Sequence, residues 1–161
     1  MRRKAVRNWM GMLLGLCLVA CGGPSELSVQ EPYILLPPPG SPVAAGFMQI
    51  KNPTKEALEL VRVEIEGFAR VEMHETRMED GMMRMRARDR VPLPPRSAVP
   101  FAPGGLHLML FEPQGELATG ASLPGQLWLR SAAGEERTIR LQWALQSRGV
   151  PAAAGEDHAH H

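Results

Sequence analysis

Two histidine–methionine pairs are the residues in this sequence best suited to chemistry. His107 and Met109 lie two apart within "GGLHLMLFEP" (residues 104–113), and His74 and Met85 bracket "ETRMEDGMMR". Imidazole nitrogen and thioether sulfur are both neutral donors. Such a set suits neither Mg(II) nor Ca(II), which take oxygen ligands. It is also a poor structural Zn(II) set, which draws mainly on Cys and His. Thioether selects soft ions, and Cu(I) is the ion that two histidines and two methionines fit. A blue-copper electron-transfer centre needs a cysteine thiolate. The only cysteines are Cys17 and Cys21, near the N-terminus, so the set points to binding and not to redox catalysis by an enzyme. Each residue also has a plainer reading: a strand histidine that only hydrogen-bonds, or a methionine that fills an irregular core.

For the four to meet, their elements must place them on one face. Leu106, Leu108 and Leu110 alternate with His107, Met109 and Phe111, which is the period of a half-buried strand. The leucines take one side, and His107 and Met109 share the other, roughly 6.5–7 Å apart along the chain. Between "ARVEMHETRM" and "MMRMRAR" stands Asp80-Gly81, a signal for a tight type I′ hairpin turn. With those two residues as the loop, Glu79 pairs with Met82, His74 lies opposite Ala87, and Met85 lies opposite Thr76. His74 and Met85 become diagonal neighbours with Cβ atoms roughly 7–8 Å apart, within reach of long side chains. Thr76, Met78, Met83 and Ala87 share that face. Glu75, Arg77, Arg84, Arg86 and Arg88 form the other, which reads as solvated. Met73, Met78, Met82 and Met83 fall outside the two pairs and are assigned to packing or to a soft lip around the site.

The surrounding chain reads as all-β. Short strands at a spacing of roughly eight to twelve residues, punctuated by Pro and Gly, predict one antiparallel β-sandwich or barrel over residues 27–145. Pro32 marks the segment 27–36 as an edge strand. "VPLPPRSAVPFAPGG" reads as a Pro-rich turn.

The ends lie outside that domain. Residues 1–20 join a basic start (Arg2, Arg3, Lys4, Arg7) to the apolar "MGMLLGLCLVA", which is too short to span a bilayer. The following "LVAC" is similar to a bacterial lipobox, which implies removal of the signal and a lipid anchor on Cys21; an ordinary cleaved signal or an uncleaved anchor is the alternative. Residues 21–26 then form the lipidated cysteine and a short tether. Such processing leaves no thiol for a disulfide. It removes four of eighteen Lys and Arg and none of seventeen Asp and Glu, taking the net charge from +1 to −3. Nothing in that balance points to nucleic acid. Residues 146–161 lack periodicity and are expected to be disordered. Their His158, His160 and His161 are either a solvated end or a loose second site for Cu(II) or Zn(II).

The gaps between His74, Met85, His107 and Met109 reproduce the H-x10-M-x21-H-x-M pattern of the PCuAC-type periplasmic copper chaperones, which this chain resembles. "FMQIKN" is similar to an early strand of that family, "VEMHETRMEDGMMRMR" to its first half-site and "PGGLHLML" to its second. The resemblance implies a cupredoxin-like Greek-key β-sandwich binding one Cu(I) per domain at an exposed site. It also implies a partner: the copper-accepting subunit of a haem–copper oxidase, or another copper chaperone. A lipid on Cys21 would hold this member at a membrane of the bacterial cell envelope, facing the periplasm, whereas the family is often exported in soluble form. Two other functions compete with delivery. One is a copper-buffering or resistance lipoprotein without a dedicated client; the other is a structural lipoprotein whose His and Met residues only pack.

Overall fold

The computed structural model describes residues 26–37 and 40–147. The signal segment 1–20, Cys21 and His158, His160 and His161 lie outside the described residues. Ten strands run in chain order: β1 (Ser28–Leu36), β2 (Val43–Asn52), β3 (Leu58–Ile65), β4 (Phe68–Glu79), β5 (Met82–Ala87), β6 (Val91–Leu93), β7 (Ser97–Phe101), β8 (Leu106–Pro113), β9 (Ser122–Ser131) and β10 (Glu136–Ser147). They join edge to edge in the order β5-β4-β8-β2-β1-β10-β9-β3-β6, with β7 added to β2. β8 sits between β4 and β2, strands far from it in sequence, as a Greek-key crossing requires.

Burial explains why this long, open sheet folds over on itself. Met73, Leu108, Leu110 and Ile34 from one half share a single apolar cluster with Leu60, Val63, Leu127, Leu129 and Trp143 from the other. Each half alternates apolar-in and polar-out, so stacking them removes both apolar faces from water. β3 illustrates the constraint. Leu58 and Leu60 are buried, then Val63 and Ile65, a change of parity. The pairing with β9 shifts register between Leu60 and Arg62. A bulge there lets both apolar pairs face inward despite their odd spacing.

Three features differ from the sequence reading. β1 is not an edge: it pairs with β2 on one side and β10 on the other. Pro32 is accommodated because the β1–β2 register shifts between Gln30 and Tyr33, with Glu31 at φ 48°, so no ladder donor is required of it. The β1–β10 ladder is parallel, the one departure from an antiparallel sheet among the described strands. The Pro-rich turn is instead two short strands, β6 and β7. Each carries a proline, Pro92 and Pro100, and each pairs on one side only, where a missing N–H is tolerated.

A buried amide ties the two halves together, and a glycine within one half makes room for Trp143. Asn52, 1 % exposed, donates from Nδ2 to the carbonyls of Glu56 (2.8 Å), Leu93 (2.9 Å) and Pro94 (3.1 Å). Its Oδ1 accepts from the Thr54 hydroxyl at 2.7 Å. One amide thus ties the end of β2 to the β2–β3 loop and to the segment around β6. On β9, Gly125 leaves room for the Trp143 indole; a Cβ there would stand 2.6 Å from Nε1 and 2.9 Å from the Glu64 carbonyl.

Candidate metal centre

The β4–β5 hairpin has the register that its sequence predicts. Glu79 pairs with Met82, Thr76 with Met85 and His74 with Ala87. Asp80 and Gly81 both have positive φ, 51° and 77°, as a type I′ turn demands. The other edge of β4 pairs with β8, placing His74 directly opposite His107 and Glu72 opposite Met109. Directly paired residues share a face. Glu72, His74, His107 and Met109 therefore lie on one side of the sheet, and Met85 joins them through Thr76. The alternate residues, Met73 and Leu108, face the core. The two histidine rings stand 6.1 Å apart between centroids. Beside them an open cleft of about 280 Å³ is lined by Met85, His107 and Met109 with apolar walls that include Leu35, Val43 and Ala45. His74 is not among the residues lining that cleft; it stands directly opposite His107 across the β4–β8 ladder, the two rings tilted by 36°.

Hydrogen bonds decide which imidazole nitrogens are free. His107 Nδ1 lies 2.9 Å from the Gly105 carbonyl, which also accepts the Thr76 N–H at 3.1 Å. A carbonyl only accepts, so neutral His107 carries its proton on Nδ1 and keeps the Nε2 lone pair. For His74 the assignment is reversed. Its Nε2 lies 2.9 Å from Glu72 Oε2, and Arg70 holds the other Glu72 oxygen at 3.2 Å. The carboxylate accepts a hydrogen bond from Nε2–H, which in the neutral ring leaves the lone pair on Nδ1. That nitrogen is buried with no hydrogen-bond partner. An unpaired buried polar atom costs about 1–3 kcal/mol, and a coordinated cation would satisfy it. Carboxylate and carbonyl partners of this kind orient metal-ligating histidines.

Exposure grades the four candidate ligands. His107 is 8 % exposed and the His74 side chain 14 %, whereas Met109 is half-buried and Met85 exposed. The arrangement offers anchored nitrogens and at least one sulfur open to a partner. Among the described residues no three His, Cys, Asp or Glu side chains form a metal-ligand group; with thioethers left out, no ligand set is assembled. The packing role expected for the remaining methionines holds only for Met73, which is buried. Met78, Met82 and Met83 are exposed, and Met82 lies on the opposite face, across from Glu79. That opposite face is solvated as expected: Glu75 pairs with Arg77 (2.6 Å) and Arg88 (2.9 Å), and Glu79 with Arg86 (2.7 Å). Sequence reasoning missed Glu72. Its position two residues before His74 on a strand, hence on the same face, was the signal available.

Residues 27–140 match the family described as "Putative lipoprotein LpqE-like". No curated protein matches the chain. Among solved structures, the apo PCuAC domain from PmoF1 is 25 % identical, with a TM-score of 0.61 over 75 % of this chain and 93 % of that one. The copper-bound PCuAC domain from PmoF2 is 23 % identical, with a TM-score of 0.61 over 75 % and 92 % of the two chains. The Cu(I) form of DR1885 from Deinococcus radiodurans is 21 % identical, with a TM-score of 0.55 over 79 % and 81 %. The chain belongs to the LpqE-like family, and its domain has the cupredoxin-like β-fold of the PCuAC type.

Proposed function

We propose that this domain is an extracytoplasmic Cu(I) chaperone that binds one ion at His74, Met85, His107 and Met109. The observation that carries the reading is the facing histidine pair, with one lone pair buried and unpartnered on His74 Nδ1 and the other left to His107 Nε2. Met85 and Met109 stand on the same face, and the copper-bound and Cu(I) forms of the PmoF2 domain and DR1885 support the choice of ion by analogy. Each ring is anchored through one nitrogen, to Glu72 or to the Gly105 carbonyl, and presents the other to the ion. The bound ion keeps its positive charge, since all four donors are neutral. A partner's ligands reach it from the exposed Met85 side, and transfer proceeds by exchange of one donor at a time, with copper staying in the +1 state.

The recipient we propose is the copper-accepting subunit of a haem–copper oxidase, or another copper chaperone. The family description supports a lipoprotein, and a lipid on Cys21 would confine delivery to clients within reach of that membrane, on its periplasmic side. Competition for Cu(I) against a chromogenic chelator, in reducing anaerobic solution, tests binding. The full-length protein in mild detergent should withdraw one tight equivalent, and the folded Met85→Leu/Met109→Leu variant should not. Equal and weak binding by both would end the proposal. Delivery is tested in a deletion strain under low copper, where oxidase activity should fall and return with the wild-type gene but not with the double variant.

A further inference from the structure

Four large hydrophobic side chains are exposed among the described residues: Met78 (65 %), Met82 (56 %), Met83 (60 %) and Met85 (53 %). All four are methionines, and all belong to the β4–β5 hairpin. No leucine, isoleucine or phenylalanine among the described residues is exposed in this way. If the hairpin needed only apolar surface, branched or aromatic residues would serve as well. What the four share beyond apolarity is a thioether.

Three of these sulfurs are placed to act together. Met78 is paired directly with Met83, a relation that holds Cβ atoms about 4.5–5.5 Å apart. Met85 lies two residues beyond Met83 on the same face, opposite Thr76. Unbranched side chains with three rotatable bonds can converge from those positions. Met82 faces the other way, among the arginines, and is excluded. The remaining residues of the shared face near the tip, Thr76 and Ala87, bring no charge to compete for a cation. We propose that Met78 and Met83 form a second and weaker Cu(I) site at the hairpin tip, where the ion is first captured, with Met85 as a third donor while the inner site is empty. The direction of onward movement rests on the copper reading of the inner site; binding at the tip does not.

The chemistry is ligand exchange. The dative bond from the Met78 or Met83 sulfur to copper breaks as one from His74, His107 or Met109 forms, while Met85 stays coordinated through the step. Copper remains Cu(I) and no electron moves; a receiving imidazole donates through the lone pair of its unprotonated nitrogen. The tip site is the weaker because its donors are all thioethers on exposed side chains, whereas the inner site adds two anchored imidazoles.

The test is a Cu(I) titration of the full-length protein carrying isotope-labelled methionine methyl groups, in reducing anaerobic solution and followed by NMR. The first equivalent should shift the methyls of Met85 and Met109, and a second should shift those of Met78 and Met83. Residues 146–161 contain no methionine, so copper bound by the tail histidines would not produce those signals. Met78→Leu/Met83→Leu should keep the first response, lose the second, and take up copper from a chelator more slowly than wild type; Met82→Leu should behave as wild type. Methyls of Met78 and Met83 that stay unmoved beyond the first equivalent would overturn the tip site. Unchanged uptake in the Met78→Leu/Met83→Leu variant would overturn its role in capture. A response at Met78 and Met83 with none at Met109 would instead overturn the inner site and leave the tip site standing.

Discussion

Glu72 holds His74 through Nε2 and is itself held by Arg70, which leaves Nδ1 as the nitrogen able to reach a metal. Glu72→Ala should therefore weaken Cu(I) binding by about 10–100-fold, while Glu72→Gln, whose amide oxygen still accepts the Nε2 proton, should lose less. Chelator competition measures both, and an unchanged melting temperature would separate orientation from loss of fold. Acid should act on the same nitrogens. Imidazole binds metal only when deprotonated, so affinity should fall as pH is lowered and recover on return to neutrality, read from the same competition repeated across pH. The four candidate ligands were legible because residue type and spacing carry ligand chemistry directly. The choice of nitrogen was not legible. It depends on the Gly105 carbonyl, which the turn containing Gly104 brings under His107, and no side-chain pattern encodes a carbonyl's direction.

The hairpin is the element that brings Met85 to the histidines, and its turn fixes the register. Gly81 sits at φ 77°, in a region that a side chain enters at a cost of about 1–2 kcal/mol. Gly81→Val should destabilise the protein by about that amount in urea titrations and should weaken Cu(I) binding as well, because a slipped register sends Met85 to the arginine face. Equal copper affinity in that variant would show that Met85 does not depend on the turn. Asp80-Gly81 between two alternating runs made the β4–β5 pairing legible residue by residue. β6 and β7 were hidden for the opposite reason: their prolines read as breakers, and only one-sided pairing makes them acceptable in a sheet. β1 was misread likewise, since the bulge that accommodates Pro32 depends on pairing with β2, a long-range contact that no local pattern reveals.

At the scale of the whole molecule, the rolled sheet keeps its core on one side and the candidate metal centre on the outer face of β4, β5 and β8. Stability and binding should then be separable. Gly125→Ala crowds the Trp143 indole in the other half of the molecule and should cost about 1–3 kcal/mol; Cu(I) affinity measured below the melting transition should stay at the wild-type value. The all-β class and most strand positions were readable from alternation and turn residues. The order of the strands was not, because the parallel β1–β10 ladder joins the two ends of the domain. X-ray absorption at the copper edge, on full-length protein loaded with one equivalent of Cu(I), tests the centre most directly. Two nitrogen and two sulfur donors, with sulfur scattering lost in Met85→Leu/Met109→Leu, are expected. A first shell of nitrogen and oxygen alone, unchanged in the variant, would contradict the His74, Met85, His107 and Met109 site.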